Sequence, residues 1–141
     1  VFYDAMRIAR TETLRAYRES SRGVYEGAGI EEYVWVASLS ARTCAACIAL
    51  NGKRFPTAEP FGTHPNCRCT LVPDFADAEP IQTGAEWFAE QSSETQTEIL
   101  GKAKHAAYAS GQVKLEDFIH EETSRKWGVT RSEASLAEAL A

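Results

Sequence analysis

Arg42-Thr43-Cys44-Ala45-Ala46-Cys47 and His64-Pro65-Asn66-Cys67-Arg68-Cys69 are the two stretches whose reading decides this chain. Together they hold all four cysteines and one of the three histidines. Tetrahedral Zn²⁺ takes four N or S donors at about 2.0–2.3 Å, and a C-x₂-C turn presents two thiolates from one tight loop. His64 and Cys67 repeat that spacing, and Cys69 adds a closer partner. The 16 residues between Cys47 and His64, or 19 between Cys47 and Cys67, suit two knuckles around one metal. Cys44, Cys47, His64, Cys67 and Cys69 are thus five candidates for four places. The favoured set is Cys44, Cys47 and Cys67 with either His64 or Cys69.

Two disulfides, a redox C-x-x-C pair and a nucleophilic thiol are the competing readings. No secretory signal supports the first, no βαβ pattern surrounds Cys44 and Cys47 for the second, and a lone nucleophile leaves four clustered cysteines unexplained. A catalytic zinc of the deaminase type needs H-x-E followed by P-C-x-x-C, whereas His64 is followed by Pro65-Asn66. An HNH-type nuclease needs further histidines, and only His105 and His120 remain, read as ordinary residues of the tail. The site therefore reads as a structural zinc.

Working outward, residues 3–22 read as an amphipathic helix on Met6, Ala9, Thr13, Ala16 and Tyr17, ended by Gly23. Tyr33–Ala37 reads as a buried strand. Asn51-Gly52, between Ile48-Ala49-Leu50 and Lys53-Arg54-Phe55, predicts a hairpin with a type I′ turn. Cys69–Val72 reads as another strand, and Asp74–Gly84 as a linker. Beyond it the pattern is helical. Thr83-x-x-Glu86, Ser93-x-x-Gln96 and Thr130-x-x-Glu133 fit capping boxes, and Gly101 and Gly111 fit C-caps. Trp87, Phe88, Ile99, Leu100, Tyr108, Phe118 and Trp127 are the expected core of this part. The expectation is an α+β protein: an N-terminal helix and a small antiparallel sheet with a zinc-knuckle-like site in residues 1–75, then a helical C-terminal segment, 76–141.

The chain has 141 residues, 44% hydrophobic and 25% charged, with a formal net charge of −5. That balance supports a folded core and argues against a dedicated nucleic-acid binder. No apolar run approaches the roughly 18–20 residues of a membrane span. No P-loop, dinucleotide-type glycine motif or Ser-His-Asp signature is present. Arg10 and Glu12 on the first helix are conspicuous charges that read first as a solvated face.

The segments Arg7–Thr13, Tyr33–Ala37, Arg42–Cys47, Leu50–Phe55 and His64–Pro73 together resemble the phage Mu F-like head morphogenesis family, over residues 3–73. The His-Pro-Asn-Cys-Arg-Cys block and the upstream cysteine pair are the specific part. The resemblance implies a minor head protein of tailed phages and prophages, resident in the virion and associated with the portal or other head proteins. In some relatives it implies contact with packaged DNA. It implies no catalytic residue. The rival expectation is an enzyme domain of a phage-derived toxin or effector, processing nucleic acid or transferring ADP-ribose, with Arg10 and Glu12 converging on one cleft.

Overall fold

The computed structural model describes residues 1–141. Helix α1 (Phe2–Gly27) is about 39 Å long. Strand β1 (Glu32–Val36) lies at the centre of a three-stranded antiparallel sheet, flanked by β2 (Arg54–Pro56) and β3 (Thr70–Pro73). Tyr33 pairs with Phe55 on one side and Pro73 on the other, so β1 is hydrogen-bonded along both edges. Helix α2 (Ala45–Leu50) precedes β2. The chain then runs through α3 (Gly84–Ala89), α4 (Ser93–Leu100), α5 (Lys102–Ala109) and a 3-10 turn at Leu115–Phe118. A hairpin of β4 (Ile119–Ser124) and β5 (Gly128–Glu133) and a short α6 (Leu136–Ala139) complete it. No helix is long and apolar enough to cross a membrane.

Three local expectations are corrected. Ile48-Ala49-Leu50 is the end of a helix, not a strand; a short apolar run carries no periodicity that separates the two, and Ala45-Ala46 favours the helix. The Asn51-Gly52 turn is where expected, but Asn51 at φ −58°, ψ 127° and Gly52 at φ +83° make it type II, linking helix to strand. Residues 76–141 are helical only in part. Thr130-x-x-Glu133 caps nothing, because Thr130 pairs with Glu122 inside the hairpin.

Other expectations hold locally. Thr83 and Glu86 form both bonds of a capping box, 2.9 and 3.2 Å, and Gly101 and Gly111 take φ near +75° at helix ends. The cap of α4 falls one residue early, with the Ser92 hydroxyl accepting from the Thr95 N–H.

The core has two parts with one shared wall. Tyr33, Trp35, Cys47, Leu50, Phe61, Cys67, Cys69 and Leu71 form one cluster. Ala45, Ile48, Ala49, Phe88, Leu100, Val113, Leu115 and Phe118 belong to the other. Helix α2 supplies both, and each of its six residues is buried. Gly84 makes the junction possible: a Cβ there would stand 1.5 Å from the Ile48 carbonyl oxygen. Trp127, expected in this core, sits instead at the hairpin tip, 49% exposed, with Arg15 and Lys126 over its ring.

Asn51 joins the same halves through polar bonds. Its Oδ1 accepts from the Ala37 N–H at 2.8 Å and its Nδ2 donates to the Gln82 carbonyl at 2.8 Å. Asn51 is 2% exposed, so truncation leaves the buried Ala37 N–H without its partner and removes the bond to the Gln82 carbonyl. Asn51→Ala is expected to lower stability by about 2–3 kcal/mol. Chemical denaturation checks this, with an unchanged midpoint as the contrary result.

Candidate metal centre

The cysteines meet where α2, β3 and the 64–69 loop converge. Cys44 is the N-cap residue of α2 and Cys47 lies one turn in, so the helix start fixes the first pair. The Ala45 N–H at that start donates to Glu133 Oε2 at 3.1 Å. Glu133 is in turn paired with Lys104, which also donates to the Ala134 carbonyl at 2.7 Å. The second loop turns through Asn66, the one non-glycine residue with positive φ (63°), a conformation that asparagine tolerates.

His64 Nε2 lies 3.3 Å from Cys44 Sγ and 3.2 Å from Cys47 Sγ, and Cys47 Sγ lies 3.7 Å from Cys67 Sγ. A tetrahedral zinc with bonds of 2.0–2.3 Å sets S···S edges of about 3.8 Å and S···N edges of about 3.6 Å. The Cys47–Cys67 separation is close to such an edge, and the two S···N separations are about 0.3–0.4 Å shorter than theirs. Cys44, Cys47 and His64 form one group of donors, and Cys47, Cys67 and Cys69 another. Cys47 belongs to both. All four cysteines are free thiols in the structure, and these clusters could hold a metal ion.

The surroundings favour the thiolate at Cys44 and Cys67 and the thiol at Cys47 and Cys69. The neighbouring thiol of Cys47 and the His64 ring hold Cys44 down to about 5. Cys47 and Cys69 likewise hold Cys67 well below an ordinary thiol. Cys47, donating to its neighbours, is pushed up, and His64 is raised to about 9 by its bond to Cys44. Cys69, although its bond to Cys47 favours the thiolate, is raised to about 12 by its bond to Cys67 and by burial, and the nearby Trp35 indole N–H, buried without an ordinary acceptor, opposes that rise. An orphaned N–H beside a sulfur is the outer-shell support that metal thiolates use.

Arg18 is the residue the sequence did not single out. It is 2% exposed, and its Nε and Nη2 each donate at 2.7 Å to a carbonyl, those of Cys69 and Cys67 respectively. Its guanidinium also lies over Phe61. Met6 and Tyr17, expected on the packed side of α1, are 47% and 63% exposed. The docked stripe is Leu14, Arg18, Ser21, Arg22 and Tyr25, because α1 docks largely on the carbonyls of loops. Arg22 thus donates to the Thr57 carbonyl at 2.6 Å. An arginine inside the stripe Leu14, Arg18, Ser21, Tyr25 was the available signal.

Arg10 and Glu12 do not share a cleft. Glu12 pairs with Arg15 at 3.8 Å and lines a cavity of about 440 Å³ beside Trp127. Arg10 lines another, of about 530 Å³, over the cysteines. The convergence that the enzyme reading requires is not made. His105 bonds Thr97 and Gln96 from α5, and His120 lies in β4, not in a helix, beside Glu138 at 3.3 Å.

The family model described as phage Mu protein F like protein matches residues 3–72. The N-terminal half belongs to the phage Mu F-like family. The match ends at Val72, within β3, so it takes in α1, most of the first sheet and all five Cys/His candidates. No curated protein and no solved structure matches the chain. Membership makes this a phage head-related protein, associated with the virion and with other head proteins as partners, and suggests a structural rather than a catalytic role.

Proposed function

We propose that this phage Mu F-like protein is a minor head protein acting at the portal during head morphogenesis, stabilised by one structural zinc. The observation that carries the zinc is a pair of donor groups sharing Cys47: Cys44, Cys47 and His64, with the ring nitrogen 3.2–3.3 Å from both sulfurs, and Cys47, Cys67 and Cys69, with Cys67 3.7 Å from Cys47. All lie at the joint of helix, sheet and knuckle, where a bound ion crosslinks segments that few regular hydrogen bonds hold. When bound, the ion supplies a crosslink between thiolates; the protein's part is to present them, with Arg18 fixing the loop that carries Cys67 and Cys69. Contact with packaged DNA through the arginine-bearing first helix belongs to the same reading.

Protein purified without chelator is expected to hold about one equivalent of zinc by elemental analysis. Less than half an equivalent defeats the metal assignment. For the head role, the chain is expected to co-purify with the portal protein of its own phage, and adjacent portal and terminase genes are expected beside its own. Assembly of competent heads in the absence of this gene would overturn that part.

A further inference from the structure

The cleft of about 530 Å³ over the cysteines has a wall that metal binding does not use. Arg10 from α1, Arg42 from the loop after β1 and Arg68 from the knuckle all line it, and no aspartate or glutamate does. All three are exposed, and none makes an ion pair or a side-chain hydrogen bond. Of the other seven arginines, Arg15, Arg22, Arg54 and Arg131 pair with carboxylates and Arg18 holds carbonyls, while Arg7 and Arg125 are free but lie outside this cleft. In a chain with 20 acidic residues and a net charge of −5, an acid-free concavity with three unpaired guanidiniums runs against the average surface. Gathering like charges is unfavourable without an anion to receive them.

We propose that this cleft binds phosphate groups. Guanidinium presents two parallel N–H donors that match two phosphate oxygens, and the cleft has three arginines and no lysine. Ser38 and Tyr3 add hydroxyl donors at the wall. One rival explanation is that the arginines offset thiolate charge at the metal. Solvent screens their exposed heads, and the buried Arg18 already stands beside the knuckle. The proposal deepens the DNA contact of the preceding reading by naming its residues, and it is independent of portal association.

The test uses the full zinc-loaded chain and a fluorescent 20-base-pair duplex, titrated by anisotropy between 50 and 200 mM salt. Three phosphate contacts predict a log–log salt slope of about −3. The R10Q/R42Q/R68Q variant is expected to lose at least about tenfold in affinity at 50 mM salt and most of that slope. A variant with the same charge change at exposed sites elsewhere, K102Q/K114Q/R125Q, is expected to keep both. Competition by inorganic pyrophosphate marks a free phosphate as the ligand; failure to compete while the duplex still needs the three arginines marks the polynucleotide backbone. Absence of wild-type binding to either probe, unchanged binding in the triple variant, or loss of zinc from it overturns the proposal. So does equal competition by an oligoglutamate of matched charge, which would assign the cleft to acidic protein segments. Failure of the portal reading would appear in portal co-purification of the wild type and leave these titrations unchanged.

Discussion

Replacing Cys47 with serine is expected to remove the metal and unfold the protein at room temperature. Cys47 is the one donor common to both groups, so losing it breaks both, whereas losing any other candidate breaks only one. A serine hydroxyl is a poor zinc ligand and leaves a buried position without its thiolate. Metal binding in small zinc domains contributes about 10–16 kcal/mol, comparable with or larger than the net stability of a whole domain, about 5–15 kcal/mol. Here the effect spreads. Cys47 is anchored in α2, whose Ile48 and Ala49 face the second core while Leu50 faces the first. Releasing the helix start therefore loosens both cores. Zinc analysis and circular dichroism melting of C47S test this, with C69S alongside, where Cys44, Cys47, His64 and Cys67 still offer four donors. Cys47→Ser protein that keeps a full equivalent of zinc and melts like the wild type would show that the centre is held otherwise.

Much of the site was legible because metal chemistry restricts residue type and spacing so tightly. Cys44, Cys47 and His64 lie in one group and Cys47, Cys67 and Cys69 in another, so the spacing does place the candidates near one another. Which of His64 and Cys69 completes a set of four was not legible, since sequence spacing allows both, and the structure brings both close. The strand at Tyr33–Ala37 was readable to within one residue, because β-branched and aromatic residues bounded by glycines and serines leave little alternative. Helix α2 was misread for a physical reason: a fully buried element shows no polar face, so it has no period to read. The C-terminal hairpin was hidden by its composition, polar and capped by motif-like accidents, and is held by tertiary contacts. Chief among these is Arg131, 2% exposed, which pairs with Glu59 and Glu121 and lies 4.6 Å over the Phe55 ring. A charge buried partly through a partner 72 positions away leaves no local signature.

Arg18 follows the same logic, and its substitution is the second large expected effect. Arg18→Met keeps an unbranched apolar stem against Phe61 and removes every donor. The Cys67 and Cys69 carbonyls then lose 2.7 Å charge-assisted bonds in a place water does not reach. Such bonds contribute about 1.5–3 kcal/mol each, so a loss of about 4 kcal/mol is expected, or roughly 10–15 °C in Tm for a chain of this size. Arg18→Lys is expected to recover less than half, because one ammonium cannot bridge two carbonyls as a planar fork does. The two carbonyls belong to ligand-bearing residues, which separates a positioning role from packing alone. If Arg18 orients the knuckle, Arg18→Met also speeds zinc transfer to a competing chelator, followed by a colorimetric zinc indicator. The packing-only control is Leu14→Ala on the same stripe: it should lower Tm and leave that transfer rate unchanged. Equal rates in wild type and Arg18→Met would reduce Arg18 to a helix anchor, and an unchanged Tm would deny it even that.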